Sequence, residues 1–555
     1  MCDKLKAGSN DKAKSLHFSE FDNILGDNLC NVRNIDVNEN SEVIKIIRSY
    51  SDLELSIVEE FYTSRADVDQ IRIEHPIYSN VDTYGVYSFM VNMTNFVVFT
   101  DSECNPKYTW VLGQVISAVS AILLEGKVIH GINLGEAEVV IKSLSEFKQD
   151  LTEVEYIRGH GDFSGFLLSN NRPYHYVYDS LYWAYFYQKN IPSESRNYSV
   201  YANNPFISLL HEGQYIPNKN GYYFKMCGLT RNLIRAWARK SGDSSWHNED
   251  VREFEKWIYD TNVDFDIDNL SSRNISTFKL WIGITGQKRS WLQQVEGYSE
   301  IINRLSDYFD DLTVFVDGWT SPLQSKEENK EDTFIFEEIR ERITSKNTTL
   351  VSLIGETYPT KIQACKDIDF HISVGGTGAF IPLRICKKPG VIHCNRSLNT
   401  FDFDQDKLIT FIADKNIIEA PIFLHGKIVK TSMNISYSAS WQLMYNCLID
   451  FIKTSKGIFF GYQETSSVAE ISSSHAENHL YTAENKAMLA KLFEDTSDLL
   501  KSDTSLPDIL ISLSNGYEEC GDIVAALKMI RLAKVFRPKG ARILKKEKLY
   551  LELLS

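Results

Sequence analysis

The chain has 555 residues, of which 43% are hydrophobic and 12% aromatic, so it can bury several cores and is expected to divide into three or four domains. Its 59 Lys and Arg against 74 Asp and Glu give a net charge of −15, which argues against sequence-independent binding to nucleic acid or to an anionic membrane. Nine scattered cysteines with no C-x-x-C pair fit free thiols in a reducing compartment better than a disulfide framework or a zinc site.

Residues 1–45 are polar, rich in Asn, Asp, Ser and Lys, and read as a loose tail or an irregular cover. The opening MCDKLKAGSNDKAK lacks the apolar run of a secretory leader, and no segment is long enough to span a membrane, so a cytoplasmic location is expected. From Glu54 the chain is β-rich, with strands expected at Gln70 to Ile73 and within Tyr84 to Thr100. Val111 to Leu124, interrupted by Gln114, Ser117 and Ser120, reads as a buried helix, and Lys127 to Ile132 as a strand. Together 46–150 form an α+β accessory domain.

Residues 151–272 change character. Phe163 to Leu168 reads as a strand, Asn170 to Pro173 as a turn, and Val177 to Tyr187 as an aromatic helix. His160, Asp162, Arg172, His175 and Asp179 crowd twenty residues beside the strand. A histidine titrating near neutrality, or an aspartate beside it, can take a proton from a hydroxyl, which makes His160, Asp162 and His175 the candidate catalytic residues. The competing reading packs His175 among Tyr174, Tyr176 and Tyr178 and leaves Asp162 to cap a turn. A strand at Phe206 to Leu210 and helices at Leu229 to Arg239 and Val251 to Tyr259 follow, and Asp260 to Ser276 reads as a linker.

Residues 273–460 repeat one grammar. Leu280 to Thr285 is a strand, Gly286-Gln287-Lys288-Arg289-Ser290 a basic loop, and Leu292, Val295, Tyr298, Ile301, Ile302, Leu305 and Phe309 recur at helical spacing before a strand at Leu312 to Val316. A helix (Phe334 to Ile343), a strand (Thr349 to Ile354) and a helix (Pro359 to Cys365) come next. The stretch Asp367 to Asn395 then supplies a strand, the turn Gly375-Gly376-Thr377-Gly378, a short helix stopped by Lys387-Lys388-Pro389-Gly390, and a strand at Val391 to His393. Alternation of this kind implies a parallel sheet covered on both faces, with ligands at the carboxyl ends of its strands. The loops at Gly286 to Ser290, at Gly355 to Tyr358 with Glu356, and at Gly375 to Gly378 would share that edge. The glycine turn opens backbone amides at a helix start, where a phosphate or carboxylate is favoured.

The order of strand, basic loop and long helix, followed much later by D-x-x-I-S-x-G-G-T-G and K-P-G-V-I, resembles the donor-binding domain of GT-B-fold glycosyltransferases, over roughly residues 275–455. The resemblance implies two Rossmann-like domains, with the acceptor on the 151–272 half and a nucleotide-sugar held by the glycine turn of the 273–460 half. Gly286, Gln287, Lys288, Arg289, Glu356, Gly375, Gly376, Thr377 and Gly378 become the substrate-binding set. The chain departs from the pattern where many members carry a ribose-binding Glu after the turn, since Ala379 to Arg384 has none. That departure leaves the nucleotide open and keeps a sugar-nucleotide epimerase or hydrolase of the same fold as an alternative. No D-x-D sits at a strand end, Asp402-Phe403-Asp404 lying in an acidic loop, so no metal and no cofactor besides the donor is expected.

Ser438 to Thr454 reads as a long amphipathic helix and 464–484 as a linker. In the last segment, 485–555, a 34-residue unit beginning at Pro507 places Leu510, Leu513, Ser514, Tyr517, Ala526, Ala533 and Pro538 in a pattern that resembles a tetratricopeptide repeat, with Met488 to Leu500 and Ile543 to Leu554 as flanking helices. One unit cannot bury its own face, so the region is read either as a cap or as a dock for a protein or glycan acceptor. The expectation is an α/β cytoplasmic glycosyltransferase, with a non-catalytic interaction scaffold as the third reading.

Overall fold

The protein is described by a computed structural model, over residues 29–52, 54–65, 68–91, 93–131, 133–149, 156–160, 162–170, 172–190, 200–203, 205–207, 221–227, 245–263, 276–286, 289–323, 325–395, 409–412, 417–419, 422–424, 427–429, 436–465, 510–511, 514–515, 518, 523–536 and 540–554. Packing divides the chain into two units, Met1–Asp260 with Ser321–Lys326, and Thr261–Thr320 with Glu327–Ser555.

The first unit opens with β1 (Leu29–Asn31), α1 (Glu42–Asp52), α2 (Leu55–Thr63), β2 (Arg72–Glu74), β3 (Asp82–Val91), β4 (Thr94–Thr100), β5 (Trp110–Gln114), β6 (Ala121–Leu124), β7 (Lys127–His130), α3 (Leu134–Gln149) and β8 (Tyr156–His160). These strands form one sheet in the order β1-β7-β6-β5-β4-β3-β2, with β8 added to β3. All its pairs are antiparallel except β1 with β7.

Three sequence expectations change here. Residues 29–31 and the start of α1 at Glu42 belong to the fold, not to a tail ending at 45. The boundary drawn at 150 cuts through a single sheet, because β8 pairs with β3. Val111 to Leu124 is buried but is not a helix. It is β5, a turn and β6, buried everywhere but at Ile116, so the run lacks the alternation that would have marked strands. The polar residues that seemed to interrupt a helix make the turn: Gln114 Nε2 donates to Ala118 O at 2.9 Å, and Val115 N donates to Ser120 Oγ at 2.8 Å.

The unit continues with β9 (Asp162–Ser169), a helical stretch from Pro173 whose Tyr176–Leu181 turn is π-helical, α4 (Tyr182–Asn190), β10 (Val200–Asn203), β11 (Gly221–Lys225) and α5 (Ser245–Asn262). β10, β9 and β11 form a parallel sheet in that order. The outer edge of β11 is taken by the first sheet. Tyr223 N donates to Ser88 Oγ at 3.0 Å, Asn95 Nδ2 donates to Tyr223 O at 3.0 Å, Lys225 N donates to Gln114 Oε1 at 2.8 Å, and Tyr62 OH donates to Lys225 O at 2.8 Å. With its backbone groups satisfied by side chains, β11 offers no edge to another strand, and among the described residues this parallel sheet has three strands. Phe206 and Ile207 lie in a bend instead of the expected strand, and Leu229 to Arg239 falls outside the described residues.

The second unit contains β12 (Thr277–Gly283), α6 (Gln294–Ser306), β13 (Asp311–Asp317), α7 (Lys330–Arg342), β14 (Thr348–Ser352), α8 (Tyr358–Cys365), β15 (Phe370–Val374), β16 (Gly390–His393), β17 (Ile409–Phe411), the short strands β18 (Ile417–Glu419), β19 (Ile422–Leu424), β20 (Lys427–Val429) and β21 (Tyr437–Ala439), and α9 (Trp441–Lys456). Its main sheet is wholly parallel with the order β14-β13-β12-β15-β16-β17. Counted from its own first strand that order is 3-2-1-4-5-6, the doubly wound Rossmann arrangement, whose direction reverses between β12 and β15. One face buries Leu280, Ile282, Val314, Val316, Ile372 and Val391 beneath Tyr298, Ile301 and Leu305 of α6 and Met444, Leu448 and Ile452 of α9.

The helix expected after the glycine turn is irregular, a 3₁₀ turn at Gly376–Ala379 running into a π-helical segment at Phe380–Ile385. Pro382 lies inside it and can neither donate a backbone hydrogen bond nor leave room for the ordinary register, and Cys386 N reaches back five residues to Ile381 O at 2.9 Å. Ser438 lies in β21, and the long helix expected from there starts only at Trp441.

In the C-terminal segment α10 (Ile523–Phe536) packs on α11 (Ala541–Leu554) around Leu510, Ile511, Leu527, Ile530, Ile543 and Tyr550. Ser514, Ala526 and Ala533 are fully buried, and Ser514 Oγ lies 3.0 Å from Tyr550 OH. Leu513, Tyr517, Pro538 and Met488 to Leu500 fall outside the described residues.

One prediction comes from the sheet interior. His371 of β15 is fully buried, and burial pulls its pKa from 6.5 down to about 3. The unfolded chain therefore binds this proton first as pH falls, so the stability it contributes is complete above pH 6.5 and is lost toward pH 3. In urea titrations from pH 7 to 4.5, His371→Gln should lose less stability than wild type, by roughly 1.4 kcal/mol per pH unit below 6.5. Parallel acid limbs in the two proteins would reject the assignment.

Candidate functional site

The reversal between β12 and β15 brings two of the expected loops together. Arg289 leaves the β12 loop with φ +62, and Gly376 opens the β15 turn with φ +87. A Cβ built on Gly376 would lie 3.9 Å from Arg289 Nη1, so the guanidinium stands over the glycine turn. Thr377 is exposed there, Gly376 and Gly378 are partly exposed, and Gly375 is buried against Cys394. The base of the β12 loop is fixed by Gln294 of α6, whose Oε1 accepts from Thr285 N at 3.1 Å and whose Nε2 donates to Thr285 O at 2.9 Å.

Gly286 does not face a ligand. Its N–H donates to Asp332 Oδ1 at 2.7 Å, and a Cβ there would sit 2.4 Å from Glu331 Cβ, so the residue is glycine to let α7 pack against the loop. Gln287 and Lys288 fall outside the described residues. Glu356 is half-buried at the end of β14, two strands from β12, which puts it on the expected edge but about 10 Å along the sheet from the loop of Arg289.

Sequence reasoning missed what holds this edge. Asp332 Oδ2 also accepts from Trp319 N at 2.7 Å, so one carboxylate joins the loops after β12 and β13. Asn329 Oδ1 accepts from Asp332 N at 2.9 Å and caps α7, and this Asn-x-x-Asp spacing was the available signal. Beside it Lys361 is completely buried, its Nζ donating to Asp317 Oδ1 at 2.6 Å, Gly318 O at 3.0 Å, Trp319 O at 2.9 Å and Thr320 Oγ1 at 2.9 Å. Burial pushes the Asp317 and Asp332 carboxyls up, and Lys361 pulls against that at Asp317.

In the first unit the three candidate catalytic residues are not gathered. Asp162 is exposed at the amino end of β9, paired with Gly221, while His175 follows its carboxyl end, about 23 Å away along an eight-residue strand. His160 lies on β8 opposite Tyr87, and its side chain falls outside the description. Asp162 therefore cannot share a reaction with His175. Its place is taken by Asp179, buried on the π-helical turn, whose Oδ2 lies 2.6 Å from His175 Nδ1. A carboxylate accepts only, so Nδ1 donates to it. The signal was the four-residue spacing of the two on one helix face. Tyr178 OH donates to Glu255 Oε1 at 2.6 Å and ties this turn to α5.

Among the described residues no cluster of His, Cys, Asp and Glu could hold a metal ion. No family model matches the sequence, and no curated protein matches it. Among solved structures, a mutant of S. aureus TarM in complex with Fondaparinux, alpha-GlcNAc-glycerol and UDP is similar at 11% identity over 63% of this chain and 72% of that one, with a TM-score of 0.15. A superposition that low carries no weight for fold or function, and the fold rests on the strand order.

Removing Lys361 should test the edge. Lys361→Ala would leave Asp317 buried without its cation and cost roughly 3–5 kcal/mol in urea unfolding, whereas the double variant Lys361→Met with Asp317→Asn should recover most of that loss. A loss in the single variant below about 1 kcal/mol would mark the pair as incidental.

Proposed function

We propose that this chain is a glycosyltransferase that moves a sugar from a nucleotide-sugar donor to a hydroxyl of a protein or surface-glycan acceptor, without a metal ion. The observation that supports it most is the Arg289 guanidinium standing over the Gly375–Gly378 turn at the reversal of a 3-2-1-4-5-6 sheet. That is where such sheets take phosphorylated ligands. The acceptor oxygen attacks the anomeric carbon as the bond to the diphosphate breaks. Arg289 and the turn's backbone amides take up the charge of the leaving phosphate. The reaction also needs a general base for the hydroxyl proton, and the His175–Asp179 pair of the first unit has that chemistry.

A cytoplasmic setting is part of the proposal. Every described cysteine is a free thiol, and no helix among the described residues is long and apolar enough to cross a membrane. The α10–α11 hairpin is assigned to acceptor docking. A second reading, a non-catalytic scaffold, draws on Asp332, which already occupies the Gly286 and Trp319 amides that a phosphate would otherwise use.

The two readings separate on binding and turnover. Arg289→Ala should weaken UDP at least tenfold in calorimetry, since one charge-assisted hydrogen bond is worth roughly 1.5–3 kcal/mol. His175→Ala should leave UDP affinity alone and lower transfer by about 10²–10⁴-fold. UDP affinity indifferent to Arg289 would sink the donor site, and intact binding with no turnover on any acceptor would favour the scaffold. Deleting residues from 485 onward should abolish transfer to a macromolecular acceptor yet spare donor hydrolysis, and equal loss of both activities would reject docking.

A further inference from the structure

Arg289 is one of a few non-glycine residues at positive φ among those described, and such a conformation persists only where its surroundings over-determine it. Here the surroundings are β21 and the residue before it. Ser290 N donates to Ser436 Oγ at 3.2 Å, Tyr437 N donates to Ser290 O at 3.0 Å, and Leu292 N donates to Tyr437 O at 2.8 Å. Trp291 Nε1 donates to Ala439 O at 3.0 Å, and Gln293 Nε2 donates to Ser438 Oγ at 2.6 Å. Four consecutive residues, 290–293, are thus stitched to four consecutive residues, 436–439.

The strap is itself pinned through one side chain. Tyr437 OH lies 2.8 Å from His393 Nδ1 and 3.1 Å from His393 O at the end of β16. His393 Nε2 lies 3.2 Å from Tyr298 OH, which donates to Gly283 O at 2.8 Å at the end of β12. Tyr298 OH donates to Gly283 O and Tyr437 OH to His393 O, so the two ring nitrogens of His393 face the two phenol oxygens. All three side chains are buried to within 0% exposure. Burial lowers the His393 pKa to about 3 and pushes both phenols up, so the network stays neutral at ordinary pH.

Resting on the donor-site reading above, we propose that Tyr437 and His393 are positioning residues for Arg289, holding its guanidinium over the glycine turn through the 436–439 strap. They touch no phosphate themselves. The network joins the carboxyl ends of β12 and β16, which flank β15 and its turn, to the strap, so it references the arginine to the strands beside the turn it serves.

The test is a double-mutant cycle read by UDP affinity. Tyr437→Phe keeps the ring and removes the hydroxyl, and it should weaken UDP about tenfold. Added to Arg289→Ala it should cost less than about twofold more, because its effect runs through that residue. His393→Asn, whose side-chain amide can hydrogen-bond the Tyr437 hydroxyl where Nδ1 did, should bind UDP within about threefold of wild type, whereas His393→Ala should fall with Tyr437→Phe. Leu448→Ala, which hollows the same core while removing none of the strap's hydrogen bonds, controls for general loosening and should leave UDP affinity unchanged. Wild-type affinity in Tyr437→Phe, an additive loss in the double variant, or an equal loss in Leu448→Ala would each overturn the proposal while leaving the donor site standing. A wild-type protein that binds none of the common nucleoside diphosphates, UDP, GDP, ADP and dTDP, would overturn both.

Discussion

The Asp332 carboxylate governs the carboxyl edge of the second unit. Taking it out of water costs several kcal/mol, and the cost is offset only because both oxygens receive backbone N–H groups, from Gly286 and Trp319. That requirement draws the loops after β12 and β13 together and seats the start of α7 against Gly286. Asp317 and Lys361 repeat the solution one step along the edge, with the ammonium shared among a carboxylate, a hydroxyl and two carbonyls. In the function proposed above, phosphate binding falls to Arg289 and the β15 turn.

The first unit shows another way of ending a sheet. β11 is parallel to β9, but its far edge is satisfied by Ser88, Asn95, Gln114 and Tyr62. The parallel strands of this unit therefore end at β11, where the antiparallel sheet and α2 lend side chains to its edge. His175 and Asp179 follow the carboxyl end of the central strand, the end at which parallel sheets leave backbone and loops free for ligands.

The second-unit sheet was legible because its inner strands β15 and β16 are buried on both faces and its helices on one, although β13 alternates and the edge strand β14 has no buried residue. Short β-rich runs such as Leu280 to Thr285 and Leu312 to Val316 stood out against the 3.6-residue period of α6. The same rule misled at Val111 to Leu124, where two wholly buried strands and a polar turn imitate one buried helix. The glycine turn and the basic loop were legible as loops, but Gly286 was assigned to the ligand when its lack of a side chain serves Glu331 and Asp332 instead.

Local patterns along the chain determined which segments are strands, where the loops fall and which residues are polar enough for chemistry, since those depend on neighbours three or four residues apart. Only tertiary structure decided which of those residues meet. Asp162 and His175 are thirteen positions apart and lie at opposite ends of a strand, whereas Asp332 meets Gly286 across 46 residues and Tyr437 meets His393 across 44. Such pairings follow from strand order, and a parallel sheet sets strand order through crossovers that leave no periodic mark in the sequence. Residue type gave the candidates their chemistry, while their partners were chosen by the 3-2-1-4-5-6 winding of the sheet and the return of β21 along its edge.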